Sequence, residues 1–246
     1  MSGAARDRFL ARLDARAAAG DPLRLWLRDD DAVAPTPALD RLLALTGGAG
    51  VPLVLAVIPE PTGPALAARL DGAPWASVAL HGWSHHNHAP AGEKSQELGA
   101  HRPARVVLAE LARGRARLGA LHGARALPLL VPPWNRIDGA VAAGLPGQGI
   151  TALSTFAARH HDVAGLHEVN THLDIIDWRG SRGGRGAETL WHELCDLEAG
   201  RTAPLGVLTH HLVHDDAAWA FLDDLIAVTA HHRGCAWLSG AEVAGA

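Results

Sequence analysis

Along the chain, short apolar runs alternate with longer stretches whose apolar residues recur at helical spacing. The runs at 23–28 (LRLWLR), 51–58 (VPLVLAVI), 77–82 (SVALHG), 126–132 (ALPLLVP), 150–156 (ITALSTF), 165–176 (GLHEVNTHLDII), 205–211 (LGVLTHH) and 235–239 (CAWLS) predict buried strands. Between them, PALDRLLAL has Pro37 near its start and Gly47 after its end, the usual helix punctuation. RPARVVLAELARGRARLGALHG predicts a long helix, and AAWAFLDDLIAVTAHH follows Asp215 and Asp216, two N-cap candidates. Residues 1–20 carry charges throughout and read as an amphipathic helix. Strands alternating with helices predict an α/β fold with a parallel sheet, closed or nearly closed into a barrel, with a doubly wound open sheet as the alternative. No composition shift, long polar linker or repeat interrupts the pattern, so a single domain over 1–246 with an N-terminal helix is expected.

Parallel α/β folds gather their functional groups at the C-terminal ends of the strands. Ionisable or polar residues follow five of the predicted strands here: RDDD after the first, HGWSHHNH after the third, PPWNR after the fourth, DIIDW at the end of the sixth and THHLVHDD at the end of the seventh. Asp29, Asp30 and Asp31 repel one another unless a cation or a basic side chain compensates them; otherwise they belong to a capped loop before Pro35 and Pro37. His81 and His85 stand four apart, a spacing that lets two imidazoles meet one divalent ion, although histidine-rich turns also occur without one. His86 and His88 read as exposed turn residues. Pro132 and Pro133 stiffen the segment that carries Trp134, either as a packed turn or as one wall of a cleft whose backbone N–H can reach an oxyanion. Asp177 and His210 form a candidate acid–base pair if the sixth and seventh strands adjoin.

Composition narrows the partners. A formal net charge of −4 argues against a nucleic acid or an anionic membrane bound by bulk charge. No apolar run approaches the length of about 18 residues that a membrane span needs. The two cysteines, Cys195 and Cys235, form no CxxC pair and read as buried thiols in a reducing compartment. With no signal-peptide pattern at the N-terminus, the expected location is the cytoplasm.

Taken in order, the strand-end blocks resemble the five motifs of the polysaccharide deacetylase superfamily (carbohydrate esterase family 4, the NodB-homology domain). LRDDD resembles T-F-D-D-G, HGWSH resembles H-[ST]-x-x-H, VPPWN resembles R-x-P-x, Asp177–Trp178 resembles the D-W block, and LTH resembles L-x-H. The resemblance spans residues from about 23 to 240 and implies a distorted (β/α)7-8 barrel. It implies a metal-dependent deacetylase that removes N-acetyl groups from a sugar or glycan precursor. By this resemblance Asp30, His81 and His85 hold a divalent metal ion, Zn²⁺ first, with Co²⁺, Ni²⁺ or Mn²⁺ as alternatives. Asp29 is then the catalytic base and His210, oriented by Asp177, the general acid. Trp134, beside Pro133, supplies the oxyanion-hole N–H, and Trp178 and Leu208 floor the acetyl site.

Three departures stand out. The glycine of the first motif is Asp31, the second position of the second motif is Gly82, and the arginine of the third is Val131, with Arg28 or Arg136 as candidate replacements. LVH at 212–214 is a second fit to the fifth motif, which makes His214 the competitor of His210. The substrate is expected to be a small molecule or a glycan, with nucleic acid and membrane excluded and the oligomeric state open. Arg179, Arg182 and Arg185, in the loop after Trp178, read as solvated or as contacts for an anionic substrate group. Hydrolysis of another non-peptide C–N bond, or a barrel that binds metal without turnover, are the alternative functions.

Overall fold

The computed structural model describes residues 3–245, so Met1 and Ser2 of the predicted N-terminal helix and Ala246 lie outside the described residues. In chain order the elements are α1 (Ala4–Ala19), β1 (Leu23–Ala32), α2 (Pro37–Ala49), β2 (Leu53–Val57), α3 (Pro64–Asp71), β3 (Ala76–Leu80), α4 (Ala104–His122) and β4 (Ala126–Leu130). Then follow α5 (Gly139–Gly144), β5 (Ala152–Leu153), β6 (His167–Glu168), β7 (Thr171–Asp174), α6 (Ala187–Glu198), β8 (Leu205–Thr209), α7 (Asp216–Thr229), β9 (Cys235–Trp237) and α8 (Gly240–Ala244). The pairings β1–β8, β1–β9, β3–β4, β4–β5, β5–β6 and β7–β8 are parallel, as the alternation predicts. No helix among the described residues is long and apolar enough to cross a membrane.

Helix ends follow local chemistry. Thr36 Oγ1 accepts the Leu39 amide at 3.0 Å and Pro37 opens α2, which then runs through Gly47 and stops at left-handed Gly50. Asp215 caps α7 by accepting the Ala218 amide at 2.9 Å, while Asp216 is already helical.

Two compact units divide the chain, and β1 contributes to both. One comprises the chain up to Asp29, Thr36–Leu53 and Thr171–Ser239. Here β8 lies between β7 and β1, with Leu25 opposite Leu205 and Asp29 opposite Thr209, and β9 pairs the start of β1. Strand β8 approaches its neighbours closely at Gly206, where a Cβ would meet Trp26 Nε1 at 2.5 Å and Thr171 Cα at 2.8 Å. Trp191 sits between Phe9 and Phe221, ring centroids 5.5 and 5.4 Å away, and joins α1, α6 and α7.

The other unit comprises Asp30–Pro35, Val54–Asn170 and the chain from Gly240 on. Its strands run in the order β6-β5-β4-β3-β2, and the Ile58 amide donates to Ala32 O at 3.0 Å beside the end of β1. Helix α4 buries Val107, Leu111 and Leu118. The predicted run 165–176 is broken in two, and Asn170 is the reason. Its Oδ1 accepts the Thr155 amide at 2.7 Å and its Nδ2 donates to Ala157 O and Arg159 O, at 2.9 and 2.8 Å. A side chain committed to that loop interrupts the ladder, and β6 and β7 take different partners, β5 and β8.

Candidate metal centre

The sequence brings three ligand-bearing side chains together in the second unit. Side-chain donor atoms of Asp31, His81 and His85 all lie within 4.8 Å of one another. His81 follows β3 directly and is enclosed, 1 % exposed; its Nδ1 donates to the Val131 carbonyl at 2.9 Å. That contact turns Nε2 toward Asp31 Oδ1, 3.0 Å away, and makes Nε2 the nitrogen available to a cation. His85 Nε2 lies 3.3 Å from the same oxygen. Burial pushes the His81 imidazole pKa down, but the hydrogen bond to Asp31 and the charges of Asp30 and Asp31 outweigh it, so it is raised. His85 is lowered, by burial first and then by the charge of His81, against the pull of Asp31.

The carboxylate set against the two imidazoles is that of Asp31, and not of Asp30 as the family resemblance implies. Asp31 has φ 70, in the left-handed region, which breaks the strand alternation and re-aims its side chain. Asp30 is buried beside it and adds its charge at His81. The turn from Gly82 to His85 is tight, with φ 62 and φ 58 at its two ends. Pro133 is buried, and Trp134, itself at φ 55, lays its ring 4.2 Å from that of His85.

In the first unit a different pair forms at the end of β1. Asp29 and the His211 side chain are both fully enclosed; Oδ2 accepts the His211 amide at 2.7 Å and Oδ1 meets His211 Nδ1 at 2.5 Å. Burial pushes the Asp29 carboxyl up, and the lowering influence of His211 and His210 does not cancel it. The predicted partner of His210 is engaged elsewhere. Asp177 accepts the amides of Gly180 at 3.0 Å and Ser181 at 3.3 Å, closing its own turn rather than orienting His210. The physical reason is local: a carboxylate three and four residues ahead of two turn amides captures them before an imidazole far along the chain. His210 instead meets the Trp178 ring edge-on at 4.7 Å, and Trp178 Nε1 donates to Asp174 Oδ2 at 2.9 Å. Leu208 is buried in β8. His214, the competitor of His210, is hydrogen-bonded to Thr209 Oγ1 and packs on Trp219; burial, then His211 and His210, lower it to about 4.

No protein-family model matches the sequence, and no curated protein matches it either. Solved structures do. A polysaccharide deacetylase from Mycobacterium smegmatis superposes with TM-score 0.69 at 16% identity, covering 91% of this chain and 89% of that one. The fold is that of the polysaccharide deacetylases. A family 4 acetyl xylan esterase from Clostridium thermocellum, solved with a cobalt ion, gives TM-score 0.55 at 15% identity, with 89% of each chain covered. A mutant of a family 4 pseudoenzyme with restored activity gives TM-score 0.63 at 14% identity, covering 91% of this chain and 68% of the other.

Within this polysaccharide deacetylase fold, the donor set fits a divalent metal ion. Two imidazoles and one carboxylate, with Asp31 and His85 partly open to solvent, match a three-ligand site that keeps positions for water. At position 131, where the third block has an arginine, it is the Val131 backbone carbonyl that meets the site, by accepting the His81 Nδ1 hydrogen bond. Arg136 donates to Ser95 O at 2.9 Å. Sequence reasoning missed Asp31, His211 and the buried Glu97, which binds the turn amides of residues 83–85. The third aspartate and the doubled histidine were visible signals; Glu97, in a polar stretch far from any strand end, gave none.

Proposed function

We propose that this protein is a metal-dependent hydrolase that removes N-acetyl groups from a sugar or glycan precursor. The observation that carries the reading is the Asp31, His81 and His85 cluster, set in a deacetylase fold. A divalent ion held there, Zn²⁺ first and Co²⁺, Ni²⁺ or Mn²⁺ as alternatives, would supply an acidic water and an electrophile for the amide carbonyl. The chain's own residues do the rest. Asp30 takes the proton of the attacking water; its place beside the cluster and its charge at His81 support this role. Asp29, the base by sequence order, is fully enclosed with both oxygens bound to His211, which favours a structural part for it. The Trp134 N–H steadies the developing oxyanion. His210 protonates the leaving amine, a role carried over from the fifth block, with Trp178 in place of Asp177 as its support. Pro133 stiffens the segment that carries Trp134, and Trp178 and Leu208, carried over from the fourth and fifth blocks, are the apolar contacts of the acetyl methyl. Two free cysteines, with the Cys235 thiol pushed up to about 12 by burial, support a reducing, cytoplasmic location.

The test is metal analysis followed by acetate release over a panel of N-acetyl sugars. Asp31→Asn is expected to lose the metal, and Asp30→Asn to keep it while turnover falls by about 10²–10⁴-fold. Full turnover in Asp30→Asn, with a folded but inactive Asp29→Asn, would return the base to Asp29. Release of an amine without acetate moves the substrate to another amide, and bound metal without turnover on any amide sinks the hydrolase.

A further inference from the structure

Glu97 lies in the polar stretch between β3 and α4, outside every block that resembles a deacetylase motif, yet it is 1 % exposed. Its Oε1 accepts the Trp83 amide at 3.1 Å, the Ser84 amide at 2.8 Å and Ser84 Oγ at 3.2 Å; its Oε2 accepts the His85 amide at 3.2 Å. One carboxylate thus collects the donors of three consecutive residues, and those residues end on the second imidazole of the metal centre.

The turn needs such a holder. His85 has φ 58, a conformation disfavoured for a residue with a Cβ, and it persists only where surrounding contacts over-determine it. Gly82 makes room for the arrangement, since a Cβ there would lie 2.0 Å from Glu97 Oε2 and 2.7 Å from Pro133 Cγ. Glu97 is itself tethered. Arg102 donates to Glu97 O at 3.0 Å and clamps both oxygens of Glu110, on α4, at 3.0 and 2.9 Å. On the other side the Asp138 amide donates to Leu98 O at 2.8 Å.

We infer that Glu97 is a positioning residue of the metal centre: through the backbone of residues 83–85 it holds His85 in ligand geometry. The inference rests on the metal-centre reading above. Groups that orient metal ligands from outside the coordination shell govern affinity without touching the ion.

Cobalt titration tests it, with a chelator competition for Kd and the visible spectrum as a reading of ligand geometry. Glu97→Gln keeps the shape but replaces one acceptor oxygen by a donor, which must face either the His85 N–H or the Trp83 and Ser84 amides. Cobalt affinity is expected to fall about 10–100-fold, with a changed visible spectrum, at temperatures where the variant is folded. Should Glu97→Gln not fold, Glu97→Asp, which keeps the charge but retracts it by one methylene, is expected to show a smaller change of the same kind. A folded variant with wild-type Kd and wild-type spectrum overturns the inference. A wild-type chain that binds no cobalt overturns the metal centre itself, and this inference with it.

Discussion

Removing the His211 imidazole leaves the Asp29 carboxyl enclosed with only the backbone amide of residue 211 from that partner. Breaking a buried pair from one side costs about 3–5 kcal/mol, so His211→Ala is expected to lower the unfolding free energy by that amount in urea titration. A loss under about 1 kcal/mol would mean the pair behaves like a surface contact. At this scale the sequence was informative where spacing alone decides the chemistry. His81 and His85 are four apart and adjoin a strand end, and the structure sets both against one carboxylate. Which carboxylate was not legible, because three successive aspartates differ only in backbone conformation, and φ 70 at Asp31 is a tertiary outcome. Glu97 was invisible for a related reason: it acts on backbone amides, which carry no side-chain signature.

Strand pairing exposes a different titratable group. His172, on β7, receives the Gly206 amide of β8 at Nδ1, 3.2 Å, while Arg201 Nη1 lies 3.3 Å from Nε2. Both neighbours are donors, and burial, then the Arg201 charge, lower the His172 pKa to about 4. An unfolded imidazole titrates near 6.5. Between those values the unfolded chain binds more protons than the folded one, so stability falls as pH drops from about 6.5 to about 4. His214 contributes in the same window. Urea midpoints measured across it should show a shallower slope in His172→Gln than in the wild type, and parallel slopes would remove the assignment. Element existence was well marked by the alternation of apolar runs, but the run at 165–176 held two strands. Its interruption depends on the loop that Asn170 bonds, which no local pattern encodes.

For the molecule as a whole, a ligand that binds only the folded chain raises its stability by mass action. At free metal one hundred times Kd the gain is about 2.7 kcal/mol. Addition of Co²⁺ or Zn²⁺ should therefore raise Tm by several degrees, and Asp31→Asn should abolish the rise; an equal rise in that variant would place the ion elsewhere. The α/β class was legible because parallel strands need helical crossovers, whereas the order of strands came only with the structure. One consequence lies in the end of β1. Asp29 answers to His211 and Asp31 to His81 and His85, with Asp30 between them. The repeat is expected to serve the metal centre as a spare part. A chain that loses one codon there still offers two adjacent carboxylates, and re-seating β1 by one residue would return Asp30 to the imidazoles while giving up the Asp29–His211 pair. Deleting Asp31 is accordingly expected to preserve more cobalt affinity than converting it in place to asparagine. Such a segment would then resist a change of length at the metal centre better than a change of chemistry.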